Sequence, residues 1–423
     1  MKISIIGLGY IGLPTAAMFA EAGFEVSGYD ADPEVRCALR NGCSATADAD
    51  VRAIAVEGLK SGKLRVDDVL QPADAYIICV PTPTRERKPD LRHVEETAEA
   101  IASLLKNDDL VILESTVPPG TTERVIGGAV RRAGRDPDTV HIVHAPERVI
   151  PGDIIRELRS NARVIGGRKS GDAAAAGRVY ASFVSGEVQL TDCLTAELVK
   201  VVENTYRDIN IAYANELALL AEELDVDAWE AIRLANAHPR VNILSPGPGV
   251  GGHCIPVDPH FLSNANPFVT ELIQTARRIN ERMPHIVVRR IERLTAPRTK
   301  IALLGASYKA NVDDTRETPT RAICALLEER GYSVAISDPI ATRFSAPLYT
   351  LNQAVEDASA LVLLTDHDEF SALTPADVGK RMRARVLIDT RNFFSVDRWQ
   401  SAGFECYTLG RGYGKEIADI SAA

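Results

Sequence analysis

Residues 2–12 read KISIIGLGYIG. KISII is a short apolar run rich in β-branched residues, the pattern of a strand. Gly7, Gly9 and Gly12 follow as G-x-G-x-x-G, and LPTAAMFAEAG then keeps helical spacing as far as Gly23. A strand, a glycine turn and a helix in that order aim the free amides of a helix start at an anion, and glycine lets a pyrophosphate approach the backbone. FEVSGYD (24–30) is a second strand that ends in Asp30, eighteen residues beyond Gly12. A carboxylate there accepts hydrogen bonds from a ribose diol and repels a 2′-phosphate, so the expected cofactor is NAD, not NADP. Tyr10 and Ile11, inside the turn, belong to the same expected site.

Further strands follow. AYIICVPTPT (75–84), LVILESTVPPGTT (110–122) and TVHIVHAPERV (139–149) run into loops rich in Pro and Thr. Strands alternating with helical stretches imply parallel βαβ units. Pro81, Thr82 and Thr116 fall at strand ends, where such sheets hold ligands. From Thr191 to Leu224 there is no Pro or Gly, and Leu194, Leu198, Val202, Ile209, Leu217, Leu220 and Leu224 recur at steps near 3.6, which predicts one long helix. On it Glu197, Lys200, Asn204, Asp208 and Asn215 share an arc of roughly 80°. The apolar remainder predicts a helix buried on several sides, whose polar stripe lines a site or a specific interface; the plainer alternative is a solvated face. Lys200 and Asn204 lie one turn apart and can donate to one oxygen.

At Lys300 the opening theme returns: KIALLGASY (300–308) echoes KISIIGLGY, and GYSVAISDP (331–339) echoes GFEVSGYDAD. ASALVLLTDH (358–367) and ARVLIDTRN (384–392) are further strands. The expected fold is α/β, with two Rossmann-like doubly wound domains joined by a long central helix and a helical middle region. Its expected limits are 1–190 for the cofactor domain, 191–296 for the helical part with the cysteine loop, and 297–423 for the second nucleotide-binding domain. The length of 423 residues suits several domains. A net charge of −10 argues against a nucleic-acid partner. No apolar run reaches the length of a membrane span, and the N-terminus reads as a strand instead of a signal peptide. Seven cysteines without CxxC spacing fit a reducing compartment, so a cytoplasmic location is expected, with neither a disulfide framework nor a metal site.

Cys254 sits in SPGPGVGGHCIPVDP (245–259). Gly251 and Gly252 clear its approach, and Pro256 and Pro259 stiffen its exit. An unhindered thiol on a rigid loop suits nucleophilic catalysis, whereas most lone cysteines are buried hydrophobes. Asp258, four residues on, can orient or deprotonate a neighbouring group. His253 reads as a packing residue.

Taken together, GLGYIGLPTA, VPTPT, ESTVPPGTT, APERV, ENTYRDINIAYANEL, LANAHPRVNILSPGPGVGGHCIPVDPHF and GASYKANVDDTRETP resemble the UDP-glucose/UDP-N-acetylmannosamine dehydrogenase family, in order over nearly the whole chain. HPRVNI (238–243) followed by PGPGVGGHC looks most like its UDP-N-acetyl-D-mannosamine branch. The resemblance implies a four-electron oxidation of sugar C6 from alcohol to carboxylate with two NAD in turn, serving polysaccharide biosynthesis. It implies Cys254 as nucleophile, Lys200 and Asn204 as the oxyanion-contacting pair, Asp258 as the carboxylate handling water and protons, and Thr116 and Glu147 bordering the nicotinamide and reacting carbon. Arg148, Gly251, Arg240, Lys309 and Arg391 fall where the family grips the UDP-sugar, with Arg240 reaching a neighbouring subunit of a homodimer or larger homo-oligomer. Arg316 matches a residue near the NAD phosphates. Two positions depart from the UDP-glucose branch: Pro151 stands where that branch has a second Glu, and Val257 where it often has Lys. A Glu base for thioester hydrolysis therefore does not carry over at 151. Both departures point to the N-acetylhexosamine side of the family.

Overall fold

The computed structural model describes residues 1–42, 48–149 and 152–412. Position 151 lies outside them. The chain divides into two compact units, Met1–Glu203 with His260–Pro267, and Asn204–Pro259 with the chain from Phe268 on.

The first unit contains β1 (Lys2–Ile6), β2 (Glu25–Tyr29), β3 (Leu64–Val66), β4 (Ala75–Ile78), β5 (Thr84–Arg85), β6 (Lys88–Pro89), β7 (Leu110–Leu113), β8 (His141–His144), β9 (Arg163–Gly167) and β10 (Val188–Asp192). Eight of them form one sheet in the order β10-β9-β8-β7-β4-β1-β2-β3, while β5 and β6 make a small hairpin. KISII is β1, between β2 and β4 and parallel to both. Side chains alternate between two buried faces: Ile77 and Ile112 join Phe19 and Tyr180 on one, and Tyr76, Ile78, Val111 and Leu113 join Val94 and Ile126 on the other. Both faces of the strands are therefore covered, which is why they read as continuous apolar runs. A fully buried Ile or Phe contributes roughly 1.5–3 kcal/mol relative to exposure.

The sheet is not wholly parallel. β9 runs antiparallel to β8, with Val143 opposite Gly167 and His144 opposite Gly166. Among its described residues the connection holds one seven-residue helix, Ile154–Ser160, before the chain returns beside β8 in the opposite direction. β3, β9 and β10 are strands that hydrophobic pattern alone did not mark. LRV is only three residues long, and RVIGG ends in two glycines.

The second unit repeats the design with β11 (Lys300–Leu304), β12 (Ser333–Ser337), β13 (Ala358–Leu363), β14 (Val386–Asp389) and β15 (Glu405–Thr408), in the order β12-β11-β13-β14-β15. Ile301, Leu303, Val362 and Ile388 face one core, and Leu304, Leu361, Leu363 and Leu387 the other. The echo heard in the sequence is a structural repeat. In each unit the acid after the second strand reaches back to the turn after the first: Asp30 Oδ2 accepts from Leu8 N at 2.8 Å, and Asp338 Oδ2 from Ala306 N at 2.7 Å and Ser307 N at 2.9 Å.

The predicted long helix is Cys193–Leu224, and it passes from the first unit into the second. The polar stripe is on the buried side, as expected of one that lines a site or an interface, but the apolar remainder is not buried with it. Glu197, Lys200, Asn204, Asp208 and Asn215 are buried, while Leu194 is 57 % exposed, Leu224 62 %, and Leu198, Val202 and Leu220 are exposed too. The buried side carries Ala196, Ala212, Ala214, Ala218 and Ala221 between the polar residues, and these small side chains let neighbouring elements approach closely enough to satisfy the polar groups.

Asp338 generates a prediction. Burial pushes its carboxyl up, but His367 and the surrounding backbone N–H groups outweigh this and hold it well below the usual carboxylate range. An acid with a depressed folded pKa adds stability above the unfolded value of about 3.9, and that stability is lost as pH falls toward the folded value. Asp338→Asn is expected to unfold at lower urea concentration than wild type at neutral pH, with the deficit shrinking between about pH 5 and pH 2. A deficit independent of pH contradicts the assignment.

Candidate active site

In the first unit the glycine turn has the shape a dinucleotide requires. Gly7 has φ +89°, and a Cβ there would meet the Cys79 carbonyl oxygen at 2.7 Å. A Cβ at Gly12 would collide with the Gly7 carbonyl, whereas one at Gly9 would meet nothing within 4 Å. Gly7 and Gly12 thus close the turn, and Gly9 leaves an open approach. The helix Gly12–Glu21 starts directly after half-buried Tyr10 and Ile11. Asp30 uses one oxygen for Leu8 N and the other for Asp32 N at 2.9 Å, leaving lone pairs for a ribose diol. Asp338 differs. It receives Ala306 N, Ser307 N, His367 Nε2, Ile340 N and Ala341 N, more donors than a carboxylate's roughly four lone pairs. The first unit fits NAD; in the second, the equivalent acid is consumed by its own protein.

The strand ends expected to face the cofactor are tied together. Thr82 Oγ1 donates to the Thr116 carbonyl at 2.6 Å, and Ser115 Oγ to the Val80 carbonyl at 2.7 Å. Pro81 is exposed beside them. Glu147 is buried after β8, with Oε1 accepting from Arg148 N at 2.7 Å, and Arg148 pairs with Glu203 at 2.6 Å. Lys200 is buried in this unit near His144, whose imidazole is pushed down to about 3 by burial first, with the Lys200 ammonium adding to it.

In the second unit the long helix clamps the cysteine loop at both ends. Asn215 Oδ1 accepts from Gly247 N at 2.9 Å, and Asn204 Nδ2 donates to Asp258 Oδ2 at 2.5 Å. Further bonds orient each amide: Arg207 donates to Asn204 Oδ1, and Asn215 Nδ2 donates to Asn280 Oδ1 at 2.9 Å. Asn280 Nδ2 and Arg277 in turn donate to Asp208 Oδ1, at 2.8 and 2.5 Å. Of the polar stripe, then, Asp208 and Asn215 belong to a buried network. Glu197, in the first unit, accepts from Gly120 N and Thr122 N.

Cys254 is exposed, and its carbonyl accepts from Val257 N and Asp258 N at 3.1 and 2.9 Å, starting the turn into the helix Asp258–Ala265. Tyr308 underlies the loop. A Cβ on Gly251 would lie 2.6 Å from Tyr308 Cβ, and one on Gly252, at φ +87°, 2.9 Å from its ring. Gly252 N donates to the Arg316 carbonyl at 3.0 Å, and Arg316 grips Asp314 with Nε and Nη2 at 2.9 and 2.6 Å. Burial first, then the Asp314 and Cys254 charges, push the Tyr308 phenol up to about 12. Sequence reading passed over Tyr308; the signal was an aromatic beside Lys309 in the second glycine-turn motif. At the carboxyl ends of β11 and β14, Lys309 is exposed, and Arg391 bonds Asp366 through Nε at 3.1 Å while lying against Gly247. Arg240 is on an exposed loop and its guanidinium has no partner among the described residues. His253 is partly buried, and burial lowers its imidazole.

Asn215→Ala leaves the Gly247 N–H without its acceptor, and the expected loss is about 1–3 kcal/mol in urea unfolding. Gly252→Ala forces both the backbone and the Tyr308 ring, and is expected to change the rate of Cys254 alkylation by iodoacetamide several-fold. Wild-type stability in the first or wild-type kinetics in the second contradicts the clamp.

Comparison with known proteins agrees with this layout. Family models for the UDP-glucose/GDP-mannose dehydrogenase NAD binding domain, central domain and UDP binding domain match residues 1–184, 194–282 and 302–396. The chain is 43% identical to the UDP-N-acetyl-D-mannosamine dehydrogenase of Methanocaldococcus jannaschii, over 97% of each. It is 42% identical to an NDP-N-acetyl-D-galactosaminuronic acid dehydrogenase of Ralstonia nicotianae, over 94% of this chain and 97% of the relative. The solved structure of a UDP-D-ManNAc dehydrogenase from Pyrococcus horikoshii superimposes with a TM-score of 0.92 at 41% identity, covering 97% of this chain and all of that one. With its NAD turn formed, its cysteine loop held and all three family models matched in order, the chain belongs to the UDP-glucose/GDP-mannose dehydrogenase family of NAD-dependent enzymes.

Proposed function

We propose that this protein oxidises C6 of UDP-N-acetyl-D-mannosamine to the carboxylate, giving UDP-N-acetyl-D-mannosaminuronate. The observation that carries the reading is the exposed thiol of Cys254 on a loop fixed at both ends by the helix that bears Asn204. Similarity over the full chain to UDP-N-acetyl-D-mannosamine dehydrogenases supports the sugar. Functionally the chain then falls into a cofactor part (1–190), a central part with the cysteine loop (191–296) and a UDP-sugar part (297–423).

Bound NAD, held by Gly7, Gly9, Tyr10, Ile11, Gly12, Asp30, Pro81, Thr82, Thr116 and Arg316, supplies the hydride acceptor for each oxidation. Lys200 and Asn204 stabilise the alkoxide as Asp258 and a water take the C6 hydroxyl proton. Fixed donors of this kind are worth roughly 3–4 kcal/mol each. The aldehyde so formed has no hydroxyl left to oxidise, so Cys254 Sγ adds to its carbon. The resulting thiohemiacetal is oxidised to a thioester, and water releases the acid and the thiol. Thr116 and Glu147 border the reacting carbon, and Arg148, Gly251, Arg240, Lys309 and Arg391 hold the UDP-sugar, concentrating positive charge on a dianion in an acidic protein.

The exposed apolar stripe of the long helix, Leu194, Leu198, Val202 and Leu220 with Tyr206 and Tyr213, supports a homodimer or larger homo-oligomer in which Arg240 reaches its neighbour. Among the described residues no helix is long and apolar enough to cross a membrane and no cysteine is in a disulfide, in keeping with a cytoplasmic location.

Across a panel of UDP-sugars, UDP-N-acetylmannosamine is expected to give the highest kcat/KM and two NADH per sugar. The galactosamine and glucosamine epimers and UDP-glucose are the competing outcomes, and one NADH per sugar contradicts the four-electron route. Cys254→Ser is expected to lose acid formation while retaining some aldehyde formation, and Lys200→Ala to slow both single-turnover oxidations. Acid formation at the wild-type rate by the Ser variant, or an unchanged Lys200→Ala, contradicts the roles given.

A further inference from the structure

The first unit buries a cation that the mechanism above does not use. Arg163 opens β9, and continuing the β8–β9 register three residues past His144 brings Glu147 opposite it. Arg163 is 4 % exposed. It donates through Nη1 to Glu147 Oε2 at 2.8 Å, through Nη2 to Glu114 Oε1, and lies 3.9 Å over the Tyr180 ring. Glu114 is held in turn, with the Cys79 thiol donating to its Oε2 at 3.1 Å. Glu147 is thus gripped at both oxygens, by Arg163 on one and Arg148 N on the other. Burial raises the Glu114 carboxyl above its usual range against the pull of Arg163, and burial holds the Cys79 thiol and the Tyr180 phenol protonated.

We propose that Arg163 is a positioning residue for catalysis: anchored by Glu114 and Tyr180, its planar fork fixes the carboxylate of Glu147 beside the reacting carbon. The inference rests on the role given to Glu147 under the proposed function. A guanidinium can hold two carboxylates at set angles while stacked on an aromatic ring, which a lysine ammonium cannot. The antiparallel turn of β9 is what makes the bridge. A parallel β9 would put the start of the strand, and Arg163 with it, beside the opposite end of β8, away from Glu147.

The test is a double-mutant cycle on the full-length enzyme with Arg163→Lys, Glu147→Gln and the pair. Arg163→Lys is expected to lower kcat by about 10- to 100-fold, the size of effect a misplaced catalytic group produces. KM for the UDP-sugar and the Kd for NADH from its fluorescence should change less than about threefold. In the Glu147→Gln background the same substitution is expected to have no further effect on kcat. Equal losses with and without Glu147 overturn the proposal and leave the reading of Glu147 intact. A fully active Glu147→Gln overturns that reading, and the proposal with it. Should Arg163→Lys not fold, Glu114→Gln, which keeps the shape of the anchor, serves in the same cycle. A several-fold loss of kcat confined to the Glu147 background supports the bridge, and an unchanged kcat overturns it.

Discussion

Two asparagines on one helix govern the cysteine loop. Asn204 and Asn215 are three turns apart, about 16 Å along the axis, and between them they hold Asp258 and Gly247, the two ends of the stretch that carries Cys254. Each amide is oriented by other partners, Arg207 in one case and Asn280 in the other, so neither can rotate without breaking a second bond. A buried polar network of this kind is costly when half satisfied and rigid when complete. This one runs unbroken from Gly247 through Asn215 and Asn280 to Asp208 and Arg277, with Asp208 Oδ2 and Arg277 Nε left over at its far end. The loop can then afford its glycines: Gly251 and Gly252 bring the backbone onto Tyr308, while the clamp supplies the rigidity they give up.

The internal repeat shows how one fold supports two tasks. Both units place an acid after the second strand and turn it back on the loop after the first. Asp30 keeps acceptor capacity for a ribose, whereas Asp338 is saturated by five protein donors, His367 among them. The second unit instead presents Lys309 and Arg391 at the carboxyl ends of its strands, where open α/β sheets bind ligands. Equivalent acids in the two units thus differ in how far the protein's own donors fill them.

Much of this was legible in the chain. KISIIGLGYIG contained β1, the glycine turn and the helix start, and the long helix was readable from the absence of Pro and Gly together with its 3.6-residue period. That its apolar stripe stays exposed was not. Periodicity locates a polar stripe and an apolar stripe but does not say which one faces the core, and here the alanines between Glu197 and Ala221 decide it by allowing close approach. β9 escaped because RVIGG ends in two glycines, and its antiparallel sense depends on a connection whose path no local pattern records. Arg163 was invisible for the same reason: an arginine before an apolar run reads as a strand flank until the strand's direction is known. Asp208 and Asn215 were found as members of a stripe, but their partners Arg277 and Asn280 lie some seventy residues on, beyond the reach of spacing arguments.

The central claim is that one sulfur atom carries the substrate's C6 as a thioester between the second oxidation and release. The direct measurement is an acid-quenched single turnover with UDP-N-acetylmannosamine and NAD, read by mass spectrometry of the Cys254 peptide and by hydroxylamine capture. The account predicts an acyl adduct on Cys254 that hydroxylamine releases as the sugar hydroxamate. Formation of two NADH with the Cys254 thiol free at every time point, and no hydroxamate, would contradict it.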